Sequence, residues 1–201
     1  KPPADLQKRP LPLTNFQGTL WRSHATIYHP IYFGRNRKHR WDASDDSYGI
    51  FYVADSLEGA FAEGYFPDPA MINWIKVGSD FSVPVSGNYL DTHAISEISV
   101  TRPVRLVDLR GDGLMAIGAD ASLITGPHRV SQNWGSALFS HPDNPDGIVW
   151  RSRVTNNVVS YALHDRSKDA IRGNPDAPLS APANKSKLNR LITRFRLAII
   201  R

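Results

Sequence analysis

Apolar positions along the chain fall in short runs rather than in long helical repeats. "GTLWRSHATIY" (18–28) carries Thr, Trp, Ile and Tyr behind a glycine, and "IFYVA" (50–54) is a continuous apolar run; both predict strands. Between them "GRNRKHRWDASDDSYG" (34–49) is polar and punctuated, hence a loop. Directly after "IFYVA" the period changes. Asp55 reads as a helix cap with Glu58 three residues on, and Leu57, Ala60, Phe61 and Gly64 form an inner stripe with Glu63 at its edge. "FSVPVS" is a weak strand whose Pro84 points to a sheet edge. "ISEISV" and "VRLVDL" predict paired or neighbouring strands around Pro103. "GLMAIGADASL" is helix-like between glycines, and "HRVSQNWGSALFSH" is a stronger helix. After the turn cluster "HPDNPDG" come strands "GIVWRS" and "NVVSYAL". Residues 173–185 form a Pro/Ala/Asn linker to a helix over 186–201, with Leu188, Leu191, Ile192, Phe195 and Ile199 on one face. Residues 1–17 are Pro-rich and aperiodic, which predicts a loosely packed arm. Strands dominate without regular βα alternation, so the expected class is α+β, a compact mixed β-sheet core with a few short helices.

Composition narrows the function classes. At 201 residues the chain suits one domain with an appendage, and 41% hydrophobic and 21% charged residues are ordinary for a globular protein. The absence of cysteine excludes disulfides, thiolate metal ligands and a cysteine nucleophile, and fits a reducing, cytoplasmic setting. No apolar run nears the ~18 residues of a membrane span. "KPPADLQKRPLPL" lacks the pattern of a secretory signal, though a start at Lys1 without methionine leaves a trimmed segment open. The net charge of +5 is unevenly spread: residues 166–201 hold nine Lys or Arg against Asp169 and Asp176, a balance of +7, which leaves the body near −2. A nucleic-acid binder carries its basic footprint on the folded body, so direct nucleic-acid binding is not expected.

Several motifs fail on spacing. Gly111, Gly113 and Gly118 in "GDGLMAIG" do not make a dinucleotide fingerprint and have no phosphate-binding lysine. His24, His29 and His39 show no regular ligand spacing, and the aspartates of "HPDNPDG" do not alternate as in a calcium loop, so no metal is expected. There is no GxSxG elbow.

Three separated pieces share a character: a polar side chain at the end or edge of a buried element. They are Arg22 in "LWRSHA", Tyr52 and Glu63 in "FYVADSLEGAFAE", and Ser152 in "DGIVWRSR"; "HRW" adds Arg40. An arginine flanked by Leu20 and Trp21 needs an anionic partner or a wet cleft. In this order the pieces, with "ISEISVTRPVRLVDL", "VSQNWGSALFSHPDNPDGIVWRSR" and "VVSYALHD", resemble the RES domain family over about residues 19–165. The family usually shows Gly-x-Arg-Trp-Asn where this chain has "KHRWD", so the carry-over to Arg40 is weaker than to Arg22 or Glu63.

The resemblance implies an ADP-ribosyltransferase-like fold and cleavage of the nicotinamide–ribose bond of NAD+, as the toxin of a toxin–antitoxin pair or a stand-alone relative. It implies an NAD-cleaving domain over 19–165; the Pro-rich arm (1–18) and the basic linker with its amphipathic helix (166–201) lie outside the likeness. It further implies Glu63 and Arg22 as catalytic, and Arg22, Arg40, Tyr52 and Ser152 as NAD-binding, with no cofactor beyond NAD+ as substrate. It implies a helix-turn-helix antitoxin of Xre type as partner and leaves a homo-oligomer open. The chemistry suits these residues. Nicotinamide leaves as a neutral ring, so one carboxylate can stabilise the oxocarbenium-like transition state without a general acid, and arginine forks suit a pyrophosphate. An ADP-ribosyltransferase acting on a protein or nucleic acid would use the same residues. A non-catalytic module engaging nucleic acid through the basic tail is the alternative from another class.

Overall fold

The computed structural model describes residues 1–66 and 72–200. Its elements, in chain order, are β1 (Leu13–Ala25), β2 (Ile50–Ala54), α1 (Leu57–Tyr65), β3 (Ile75–Val77), β4 (Asp80–Ser86), α2 (Gly87–Thr92) and β5 (His93–Asp108). Then follow α3 (Gly113–Ala116), α4 (Ser122–Thr125), α5 (His128–Phe139), β6 (Gly147–Arg151), β7 (Val159–His164), β8 (Ile171–Gly173), α6 (Lys185–Phe195) and β9 (Leu197–Ile200). The class is α+β, as the sequence pattern predicts.

The main sheet runs β1-β2-β7-β6-β5-β8, and β1 also pairs with β5, so five of its strands close into a ring. Only β5 and β6 are parallel neighbours; the other pairs are antiparallel. Ring closure explains why "IFYVA" is apolar without alternation: Phe51 and Val53 face one core cluster with Leu20, Ile98 and Leu163, while Ile50 packs in a second with Trp41, Trp134 and Trp150. The third cluster holds α1, β4 and α6 together through Phe61, Val85, Leu90, Leu179 and Leu191.

Several expectations change. The two strands drawn around Pro103 are one, β5, whose register against β1 slips between Phe16 and Gly18; Pro103 sits in that irregularity, where no ladder bond needs its missing N–H. Pro84 lies in the middle strand of a small β3-β4-β9 sheet, not an edge strand, but β3 pairs only with residues 80–82, so among the described residues no strand pairs with Pro84 on that flank. The helix over 186–201 stops at Phe195, because Arg196 adopts a left-handed conformation (φ 51°) and Leu197–Ile200 then add to β4 as a parallel strand. The N-terminal arm is not loose: Leu6 and Leu11 are buried against Leu109 and Leu138. "GLMAIGADASL" also divides into α3 and α4.

The cap of α1 is Ser56, whose Oγ accepts the Gly59 N–H at 3.1 Å, and not Asp55, which accepts from Ser56 and from the Val159 N–H. Glu58 pairs with Arg190 of α6 at 2.7 Å instead of closing a capping box. Two glycines let α1 lie close: a Cβ at Gly59 would come within 2.6 Å of Val158, and one at Gly64 within 2.9 Å of Ser23 on β1. That approach sets the depth at which Glu63 enters the site.

Candidate active site

A cavity of about 340 Å3 opens where α1 crosses the ring. Arg22 reaches it from β1, Tyr52 from β2, Glu63 from α1 and Arg40 from the loop after β1, so four of the five predicted residues converge. His39, His128, Trp150, Arg153, Ser160 and Tyr161 are among the other residues of its walls. The size suits a cofactor-sized ligand. A larger groove beside α6, from Glu58 to Arg194, contains no buried side chain.

The two arginines are held without carboxylates. Arg22 Nη1 donates to the carbonyls of Pro30 (2.8 Å) and Tyr32 (3.0 Å), and its guanidinium stacks 4.7 Å from the Phe51 ring centre. Arg40 Nη1 donates to the carbonyls of Leu123 and Gly126 and to Ser131 Oγ, at 2.9–3.2 Å. Neither forms an ion pair among the described residues. Burial pulls the Arg22 pKa down to about 10, with a small opposing effect from Tyr32. Burial also lowers Arg40, as does the neighbouring charge of Arg153, while Glu63 and Tyr52 act in the opposite direction. A cation fixed by neutral carbonyls at a cavity wall retains its attraction for an anion, and carbonyls orient it without neutralising it.

Glu63 is half-buried and accepts a hydrogen bond from Ser160 Oγ of β7 at 3.3 Å. Facing the arginines, it gives the cavity one carboxylate against three guanidiniums among the described residues.

The "KHRWD" segment is shaped by Asp42, which is 1% exposed. Its Oδ2 accepts the backbone N–H groups of Lys38 and His39, each at 3.0 Å, and its Oδ1 accepts the Tyr52 hydroxyl at 2.9 Å. The Trp41 N–H in turn donates to the Tyr52 oxygen at 2.8 Å. Burial, with Asp42 beside it, raises the Tyr52 pKa well above its ordinary value. His39 lies with its ring 5.4 Å from that of Tyr52, and burial lowers its pKa.

Ser152 is not among the residues lining the cavity. Buried at the end of β6, its Oγ accepts the N–H groups of Val154 (3.0 Å) and Thr155 (3.1 Å), so it builds the turn that carries Arg153 to the cavity. The serine that touches Glu63 is Ser160. Its one sequence signal is a lone polar residue inside the apolar run "VVSYAL". Asp42 and Arg153 had no comparable signal, and His39 reads from sequence only as a failed metal ligand. Among the described residues no cluster of three metal-ligating side chains forms, and no helix is long and apolar enough to cross a membrane.

Residues 19–182 match the RES domain, and the chain belongs to that family. It is 33% identical over 105 residues to the Sinorhizobium fredii protein named "Probable toxin y4kH", across 51% of this chain and 81% of that protein. Its fold is shared with a chain in the crystal structure of the M. tuberculosis MbcT-MbcA toxin-antitoxin complex, at a TM-score of 0.59 and 16% identity, covering 82% of this chain and 84% of that one.

Proposed function

We propose that the cavity binds NAD+ and cleaves its nicotinamide–ribose bond, and that the protein acts as the toxin of a toxin–antitoxin pair or as a stand-alone relative. The observation that supports this best is the pair of guanidiniums, half-buried Arg22 and buried Arg40, held by carbonyls in a cavity whose described lining carries a single carboxylate, Glu63. Two planar forks suit a pyrophosphate. In the reaction the C1′–N bond breaks and its electron pair passes to the ring nitrogen, so nicotinamide departs neutral. Positive charge grows on the ribose, where the Glu63 carboxylate stabilises it. The acceptor, water or phosphate, then forms the new C1′–O bond and gives up a proton when it is water. The fold likeness to a chain of a toxin-antitoxin complex, and the toxin name borne by the Sinorhizobium protein, support the biological role. An enzyme that drains NAD+ in its own cytoplasm needs restraint, and an antitoxin of helix-turn-helix type is the partner we propose.

A macromolecular acceptor is the second reading. Ile27, Tyr28 and Tyr32, exposed at 81%, 65% and 59%, stand on the loop whose carbonyls hold Arg22, where an incoming protein would meet them. Incubation with NAD+ labelled in the ADP-ribose part separates the readings. Free ADP-ribose or its phosphate supports cleavage to a small acceptor, label on a macromolecule supports transfer, and intact NAD+ contradicts both.

A further inference from the structure

Asp42 is a carboxylate almost sealed from solvent that pairs with no cation among the described residues. Burying a charge this way is costly unless hydrogen bonds replace its water. Three donors do so here: the N–H groups of Lys38 and His39 on one oxygen and the Tyr52 hydroxyl on the other. All three lie on segments that line the cavity, since His39 and Arg40 follow the two amides and Tyr52 faces it from β2. The one proton of the Tyr52 hydroxyl is committed on the protein side. The hydroxyl gives its proton to Asp42 and receives one from the Trp41 N–H. What Tyr52 offers the cavity is ring surface.

We propose that Asp42 is the positioning residue of this site, fixing the segment that presents His39 and Arg40 and turning the Tyr52 hydroxyl away from the ligand, so that Tyr52 meets the substrate with its aromatic face alone. This rests on the NAD+ reading above. It assigns Tyr52 no part in proton transfer, which is consistent with a leaving group that departs neutral and needs no general acid. It also gives the carboxylate of this chain a role of its own, although the family usually shows an asparagine at this position. An amide at position 42 can still accept the two backbone N–H groups with its oxygen, but its NH2 would then point at the Tyr52 oxygen. The phenol proton would lose its acceptor and be freed to turn.

Steady-state NAD+ kinetics on Asp42→Ala, Asp42→Asn, Tyr52→Phe and the Asp42→Ala/Tyr52→Phe double variant test this. Asp42→Ala should raise KM at least tenfold with a smaller effect on kcat, and Asp42→Asn should recover part of the loss. The double variant should be no worse than Asp42→Ala alone, because both changes break one link. A hundredfold fall in kcat for Tyr52→Phe with KM unchanged would put the phenol proton in the chemistry and overturn the proposal, as would additive losses. Should Asp42→Ala fail to fold, the ionisation of ring-labelled Tyr52, followed by carbon NMR against pH in the intact protein and in Asp42→Asn, decides the link. Asp42→Asn should move that ionisation to lower pH by removing a charge and an acceptor; an unmoved titration overturns the proposal. This second measurement needs no NAD+. A wild-type protein that neither binds nor turns over NAD+ would therefore sink the functional reading while the titration still judges Asp42 and Tyr52.

Discussion

Ser160 and Glu63 meet across the boundary between β7 and α1, the serine hydroxyl donating to Oε1 at 3.3 Å. Ser160 stands on a strand of the ring, opposite Ala54 in the pairing with β2 and Trp150 in the pairing with β6. The carboxylate on the helix is thus referenced to the sheet rather than left to its own rotamers. Gly64 beside it allows the close approach to β1. This is the geometry expected of a preorganised charge, whose value lies in needing little rearrangement when the opposite charge develops.

Arg22 should not be replaceable by lysine. A point ammonium cannot reproduce two parallel N–H donors, so Arg22→Lys is expected to weaken NAD+ binding by about tenfold or more, equivalent to ~1.4 kcal/mol. Calorimetric titration in a Glu63→Gln background, where turnover does not interfere, measures it. The same titration carries a pH signature. With the free-protein pKa pulled down to about 10 by burial, a bound anion would raise it again, so binding takes up a proton near that pH. Affinity should be level near neutrality and fall as the pH climbs through about 10. Equal affinity for arginine and lysine variants would return Arg22 to a purely structural role.

Ser152 should matter through its turn. Ser152→Ala removes the acceptor of two backbone N–H groups at a buried site, which is expected to cost ~1–3 kcal/mol in urea unfolding. Because the turn delivers Arg153 to the cavity, KM for NAD+ should rise while kcat changes less. A large fall in kcat with unchanged stability would show that the hydroxyl works on the substrate directly.

Residues beyond Gly173 are part of the fold. Leu179 and Leu191 are fully buried, Leu197 nearly so, and β9 adds a strand to β4. Truncation after Gly173 strips three buried leucines from the cluster that seats α1, each worth ~2–5 kcal/mol. The truncated chain should fail to express as a cooperatively folding protein. A truncated protein with a wild-type melting curve would contradict this packing.

The sequence carried some of this and hid the rest for identifiable reasons. Arg22 and Glu63 stood out because a charge beside Leu20 and Trp21, or beside an apolar helical stripe, needs an explanation wherever it falls. "IFYVA" read as a strand because burial on both faces removes polar alternation. Ser152 and Ser160 could not be told apart, because serine serves turns and sites alike, and only the chain path shows which hydroxyl its own backbone consumes. Pro103 read as a break, whereas the slip in the β1 register absorbs it. The end of α6 depended on a left-handed turn at Arg196, a conformation arginine rarely adopts, and no glycine marked it. The arm read as loose because Leu6 and Leu11 are isolated among prolines, with no period to announce that both are buried.

The most direct measurement is NAD+ turnover by Glu63→Gln. The amide keeps the shape of the side chain and its bond to Ser160 while removing the charge that faces the developing oxocarbenium ion. Turnover should fall more than ~100-fold, the scale for removal of a principal transition-state contact, with the melting curve unchanged. Near-wild-type turnover by a folded Glu63→Gln protein would contradict the account.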